Sequence, residues 1–201
     1  MNAEKRIISV IALLLVFKLA TAQAFERSAK YQIRVWGMNI GEFTVSQKTQ
    51  GEDMSIEAIT DVEVKMIFTY RVKYIQQSLY RHGTLWNSHV ETLKNGKINS
   101  DTRLEKQGEN YLLTQNGDSA LIHGNITYSG SLLYFHEPVQ IKYIYKERTG
   151  DKNSFKSLDD HTYAIVDEKD IKTNVYKYEN GVLVSAELIH SLATIHMILF
   201  P

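Results

Sequence analysis

Apolar and polar side chains alternate along most of this chain with a period of two, the spacing that sends successive side chains to opposite faces of an extended strand. Tyr31, Ile33 and Val35 alternate with Lys30, Gln32 and Arg34. Met54, Ile56, Ala58, Val62, Val64, Met66 and Phe68 share one parity, opposed by Ser55, Glu57, Asp61, Glu63 and Lys65. The rhythm returns at Tyr70, Val72 and Tyr74, at Ile141, Tyr143 and Tyr145, at Tyr176 and Tyr178, at Val182, Val184, Ala186 and Leu188, and at Ile195, Met197 and Leu199. One face of each strand is then dry and the other wet, the habit of antiparallel sheets.

Asn95-Gly96, Asn116-Gly117 and Asn180-Gly181 each stand between alternating runs. Asn-Gly supplies the positive φ angles of the tight turn whose twist matches its flanking strands. Further glycine breaks at Gly37 to Gly41, Gly51, Gly83, Gly108 and Gly150 extend the pattern to an antiparallel meander of about ten strands. Ser129 to Phe135, ahead of Pro138, is the one place for a short helix. Because twist accumulates and unpaired edges invite aggregation, the expectation is an all-β domain over 25–201 whose meander curls into a barrel or half-barrel.

The first residues follow another rule. Lys5 and Arg6 precede an apolar stretch from Ile7 to Leu19, which ends in Ala20-Thr21-Ala22-Gln23-Ala24. That layout predicts a signal peptide over 1–22, with cleavage after Ala22 or, on the same small-x-small spacing, after Ala24. The apolar run contains Lys18 and falls short of the ~20 residues of a membrane span, so no stable span is expected. The mature protein is expected in the periplasm or outside the cell.

Composition narrows the function classes. Among 201 residues, 43% are hydrophobic and 12 are tyrosine, which excludes a disordered chain. The absence of cysteine excludes disulfide scaffolds and thiolate metal sites. Lys and Arg balance Asp and Glu at 23 each, and removing the signal leaves 20 against 22, so nucleic acid is not an expected partner. The chain has no G-x-S-x-G elbow, phosphate loop or H-E-x-x-H, and none of its seven histidines forms an H-x-H pair. Neither a metal nor a cofactor is expected. Asp159-Asp160-His161 reads as an acidic turn capping a strand at Thr162 to Val166, because neighbours on a strand point apart and cannot converge.

Tyrosines on the dry parity suit a cavity wall, where the ring meets apolar material and the hydroxyl finds a partner, and they suit an ordinary β core equally. The candidate ligand-binding set is Phe68, Tyr70, Val72 and Tyr74 together with Leu132, Leu133, Tyr134 and Phe135, the last four forming a lid or plug. The same residues make a plain hydrophobic core, and both readings stay open here.

Three motifs carry a family likeness. Tyr31-x-Ile33-x-Val35 with Ile40-Gly41 and Val45, then Tyr134-Phe135-x-Glu137-Pro138, then Tyr176-x-Tyr178-x-Asn180-Gly181-Val182 together resemble a family of uncharacterised secreted proteins of Gram-negative bacteria that share a domain of unknown function. The resemblance implies a signal peptide, an all-β body and a short Tyr-Phe-x-Glu-Pro segment; it implies no catalytic residue. More distantly, the architecture is similar to periplasmic half-barrels that carry lipoproteins, a fold-level analogy. The expected function is a non-catalytic binding or structural role in the cell envelope, with an apolar small molecule, a lipid or an envelope protein as partner. Two alternatives are an envelope enzyme whose site is assembled only by folding, and a small outer-membrane β-barrel suggested by Ile198-Leu199-Phe200.

Overall fold

The computed structural model of the protein describes residues 24–65, 69–166, 171–189 and 193–200. Residues 1–22, read as a signal peptide, lie outside the described residues, as do Phe68 and His190.

Strands account for most of the chain. In order they are β1 (Phe25–Val35), β2 (Met38–Gln50), β3 (Asp53–Lys65), β4 (Thr69–Arg81), β5 (Thr84–Lys94), β6 (Lys97–Gln107), β7 (Asn110–Gln115) and β8 (Asp118–His123). After a covering segment come β9 (Tyr143–Tyr145), β10 (Lys152–Asp159), β11 (Thr162–Val166), β12 (Lys172–Glu179), β13 (Val182–Ile189) and β14 (Thr194–Leu199). The Asn-Gly pairs make the expected turns: φ is 49° and 77° at Asn95 and Gly96, 52° and 100° at Asn116 and Gly117, and 52° and 76° at Asn180 and Gly181. The short helix is a 3-10 turn over Gly130–Tyr134.

The expectation of about ten strands curled into a barrel or half-barrel is corrected. Among the described residues fourteen strands form one antiparallel sheet in the order β8-β7-β6-β5-β4-β3-β2-β1-β14-β13-β12-β11-β10-β9, and its edges β8 and β9 do not pair to close a β-barrel. The reason lies in the connection between the two edges. Instead of a hairpin, residues 124–142 leave β8, turn inward across the dry face and only then enter β9. Both edges are short, six residues in β8 and three in β9, which limits the unpaired backbone they present. Without closure the outer-membrane barrel reading falls, because a sheet crossing lipid must pair every edge.

The covering segment explains the core. Ile126, Ser129, Ser131, Leu132, Leu133 and Phe135 are all buried. Ile126, Leu132, Leu133 and Phe135 share a single hydrophobic cluster with Tyr31, Phe43, Ile56, Tyr80, Leu104 and Tyr111 from one half of the sheet and Ile144, Ile165, Tyr178 and Leu183 from the other. Backbone and side-chain bonds stitch the segment down. Leu85 N donates to Ile126 O at 2.9 Å, and Tyr111 Oη donates to Leu85 O at 2.7 Å while accepting from Ile126 N. The dry parity also carries buried polar residues, among them Gln47, Gln76, Ser78, Ser88 and Thr102. Gln76 Nε2 donates to Ser78 Oγ and Ser78 Oγ to Ser88 Oγ, so these groups satisfy one another. In β9 the alternation reading is reversed: Ile144 is buried and Tyr143 is exposed, with Lys152 lying 4.3 Å over its ring. A three-residue edge strand takes its facing from the segment it touches, here the parallel bridge between Ser129 and Tyr145.

Candidate functional site

Of the eight residues proposed from sequence, Leu132, Leu133, Tyr134 and Phe135 lie on the covering segment and Tyr70, Val72 and Tyr74 on β4. Leu132, Leu133 and Phe135 are buried. Tyr134 is half-buried, its ring 4.8 Å from that of Phe43 and 6.2 Å from that of Tyr31. Val72 is half-buried between Val62 and Lys94 in the sheet register. Tyr74 donates to Gln76 Oε1 at 2.7 Å, and its hydroxyl is pushed to higher pKa by burial first and by the Glu147 carboxylate second. Tyr70 of β4 pairs with Val64 of β3, and its side chain, like all of Phe68, lies outside the described residues. Tyr134 and Phe135 therefore face the sheet as a plug, while Tyr74 belongs to a polar network beneath it.

A separate polar group centres on Glu147, which is 3% exposed and whose charge is felt by the Tyr74 hydroxyl. Its Oε2 accepts from Gly130 N at 3.0 Å and its Oε1 from Ser131 N at 3.0 Å, with Ser129 Oγ donating to Oε1 as well. Tyr80 Oη is hydrogen-bonded to both Ser129 Oγ and Ser131 Oγ. Burial and the nearby Glu147 raise the Tyr80 pKa, so the phenol stays protonated. A carboxylate held by two amide hydrogens and a hydroxyl is a clamp on the 3-10 turn.

A second carboxylate, Glu137 of the Tyr-Phe-x-Glu-Pro motif, has a side chain only 8% exposed. His161 Nδ1 donates to it at 2.9 Å and Tyr163 Oη at 2.7 Å. Burial, then Glu137, pushes the Tyr163 phenol up to about 12. Asp160-His161 forms the turn between β10 and β11, as the sequence implied, with His161 at φ 56°. Among the described residues no hydroxyl nucleophile contacts His161, so the pair ties residues 135–138 to β11 and lacks the third member of an acyl-transfer site.

One outward-facing group could hold a cation. Nitrogen or oxygen atoms of His89, Glu91 and Asp101 lie within 4.8 Å of one another. His89 Nε2 is already 2.9 Å from Asp101 Oδ1, and Arg103 Nε reaches the same oxygen at 3.7 Å, so the protein supplies part of the neutralising charge. Two ligands from one strand at i and i+2 plus one from its neighbour is a pattern that a search for H-x-H pairs passes over.

The most open feature lies where β14 runs out. β14 pairs with β1 only from Tyr31 to Val35, leaving β1 to continue from Lys30 back to Phe25 with β2 alone beside it. Phe200 N donates to Lys30 O at 2.8 Å, ending the pairing. Beyond it an open cleft of about 720 Å³ straddles the uncovered stretch of β1: its inner side is formed by Arg27, Ala29, Val45, Phe135, Val182 and Leu199, and its outer side by Ser28, Lys30, Thr44, Ser46, Glu57, Ile59 and Phe200. Arg27 Nη2 donates to Gln47 Oε1 at 3.1 Å and to Phe135 O at 3.0 Å, and its guanidinium stacks 4.6 Å above the Phe135 ring. His136 Nε2 lies 3.0 Å from Arg27 Nη2 and 2.8 Å from Gln47 Oε1. Burial, then the Arg27 charge, lowers the His136 pKa to about 4, which keeps the ring neutral. Arg27 shares the dry parity of Tyr31, Ile33 and Val35 in sequence, and a charge on that parity was the available signal for this site.

The fold and these sites define the class: an all-β domain, an open antiparallel meander whose dry face is covered by its own internal segment. The chain belongs to the DUF6134 family, a domain of unknown function whose model matches residues 31–199. Among solved structures it is similar to a beta-barrel-like protein of domain of unknown function DUF1849 from Brucella abortus, with a TM-score of 0.59 over 90% of this chain and 98% of that one. The two sequences are 9% identical, so the likeness is one of fold. No curated protein matches the chain. Among the described residues no helix is long and apolar enough to cross a membrane.

Proposed function

We propose that this protein is a non-catalytic binding protein of the bacterial cell envelope, exported by its N-terminal signal, that holds an apolar or amphipathic small molecule in the cleft beside β14. The observation that carries the reading is the cleft itself. An apolar wall continuous with the core is left open because one strand stops short, whereas a closed core would have filled it with side chains. The covering segment supplies Phe135 as the cleft floor, so the residues read from sequence as a plug also shape the site.

Export and ligand binding are tested separately. Release of the protein by osmotic shock without detergent supports an envelope location; retention in the cytosolic fraction overturns it. Native mass spectrometry of protein purified from its own cells, followed by organic extraction, reads bound small molecules. A mass increment that disappears in Ala29→Phe, which narrows the cleft, supports the reading. Bare protein from envelope preparations, with no uptake of added apolar probes, overturns it.

A further inference from the structure

Arg27 is a permanent cation set into an apolar wall without a counter-ion. Among the described residues no carboxylate pairs with it: its side-chain partners are Gln47 and His136, and its remaining contact is the Phe135 carbonyl. Its Nε is sealed from solvent and has no hydrogen-bond partner, while Nη1, also without a protein partner, is not sealed. Guanidinium does not shed its proton to escape such a setting. An uncompensated charge and an unpaired buried donor are both unfavourable, and native folds keep few of them.

We propose that the cleft binds a single-chain carboxylate amphiphile of the fatty-acid type, its carboxylate on the Arg27 guanidinium and its tail along Ala29, Val45, Val182 and Leu199. The inference rests on the reading of the cleft as a small-molecule site and adds the chemistry of its occupant. Charge count selects the head group. His136 is neutral, Lys30 is paired with Glu42 at 2.7 Å on the outer face, and Glu57, opposite Ser46, stands on that outer face too and accepts from Gln77, so among the described residues Arg27 is the charge presented to the inner side of the cleft. A monoanion balances Arg27 charge for charge; a phosphate monoester, with up to two charges, would leave negative charge in excess beside a single cation. Nη2 is already engaged by Gln47 Oε1 and Phe135 O, so a carboxylate oxygen would accept a charge-assisted hydrogen bond from Nη1, the guanidinium nitrogen left open. The tail direction follows from the register: Ala29 lies two positions along β1 on the same face as Arg27 and opposite Val45, and Leu199 stands opposite Tyr31, the next residue on that face.

The test uses purified, delipidated protein and cis-parinaric acid, whose fluorescence rises on entering an apolar site, with its uncharged methyl ester as the paired probe. Saturable binding of the acid is expected, with the ester at least about tenfold weaker. Arg27→Gln should bring the acid down to the level of the ester while leaving the ester unchanged, and Ala29→Phe should weaken both. Dodecanoate should displace the acid better than dodecyl phosphate. Equal binding of acid and ester, a preference that survives Arg27→Gln, or stronger displacement by dodecyl phosphate overturns the head-group assignment; the small-molecule reading then stands if the ester still binds and Ala29→Phe still blocks it. No binding of either probe removes both. Should Arg27→Gln fail to fold, the acid-to-ester ratio of the native protein and the response of Ala29→Phe decide the outcome.

Discussion

Tyr31 Oη donates a 2.9 Å hydrogen bond to the carbonyl of Leu183, 152 positions further along the chain. Tyr31 is the first residue of β1 that pairs with β14, and Leu183 lies on β13, so the bond passes over the end of β14 and joins its two neighbours directly. Both residues are fully buried. Burial raises the Tyr31 pKa, which keeps the donor hydrogen in place throughout the range where the protein is folded.

Removing that hydroxyl should be costly for its size. Tyr31→Phe keeps the ring but leaves the buried Leu183 carbonyl without this donor, a loss of about 1–2 kcal/mol. In a domain of this length the melting temperature should fall by roughly 2–8 °C. An unchanged melt would mean that the carbonyl finds water, and that the wall of the cleft at this point is wet.

Glu147 should be the more severe position. Glu147→Gln places an NH2 group among donors, facing Gly130 N or the Ser131 N and Ser129 Oγ pair. A destabilisation of about 2–3 kcal/mol is expected. Amide hydrogen exchange should localise the effect, with Gly130 and Ser131 losing protection before the strands do. Protection lost evenly across the sheet would contradict a local clamp on the 3-10 turn.

Gly41 is required by close approach. A Cβ built there would meet Asp61 O at 2.3 Å and Val62 Cα at 2.8 Å, both backbone atoms of the paired strand β3. Gly41→Ala should therefore cost about 1–3 kcal/mol by forcing β2 and β3 apart. Thr44→Ala, exposed on the same strand, is the control and should lie within about 0.5 kcal/mol of the native protein. Chemical denaturation of both variants reads the difference.

His136 gives the fold a pH dependence of known sign. Its pKa of about 4 in the folded protein lies below the ordinary value of 6.5, so the unfolded chain binds the proton first as pH falls. This contribution to stability is complete above pH 6.5 and is lost between 6.5 and about 4. Set against His136→Gln, which does not titrate, the native protein should lose on the order of 2 kcal/mol more across that window, allowing for partial solvent screening. Parallel stability curves for the two proteins would place the ring in solvent instead.

Local features were legible because local chemistry sets them. Asn95-Gly96, Asn116-Gly117 and Asn180-Gly181 turn where they do because both residues tolerate positive φ, whatever packs around them. Ser129 to Phe135 could be picked out as a short helical turn because an apolar cluster stands ahead of Pro138 without strand alternation. Tyr143 was misread, since alternation shows which residues share a face and does not show which face is covered. Ser88 and Thr102 were beyond reach for a related reason: each is a buried polar side chain whose partner, Ser78 Oγ or Arg148 O, comes from another strand or loop.

The alternating pattern and turn residues by themselves determined an all-β antiparallel meander and its hairpin turns, since each depends on contacts between near neighbours in the chain. Closure, and the site, were decided only in three dimensions. Whether two sheet edges meet depends on where residues 124–142 travel, and that path is fixed by Glu147, Tyr80 and Leu85, which are remote from most of the segment in sequence. The cleft exists because β14 ends before β1 does, a difference of strand lengths that acquires meaning only when the first and last strands lie side by side. Arg27 and His136 are 109 positions apart, and no local pattern brings such partners to 3.0 Å. Long-range pairing of this kind is the work of the assembled core, in which burial gives each polar group one acceptable partner.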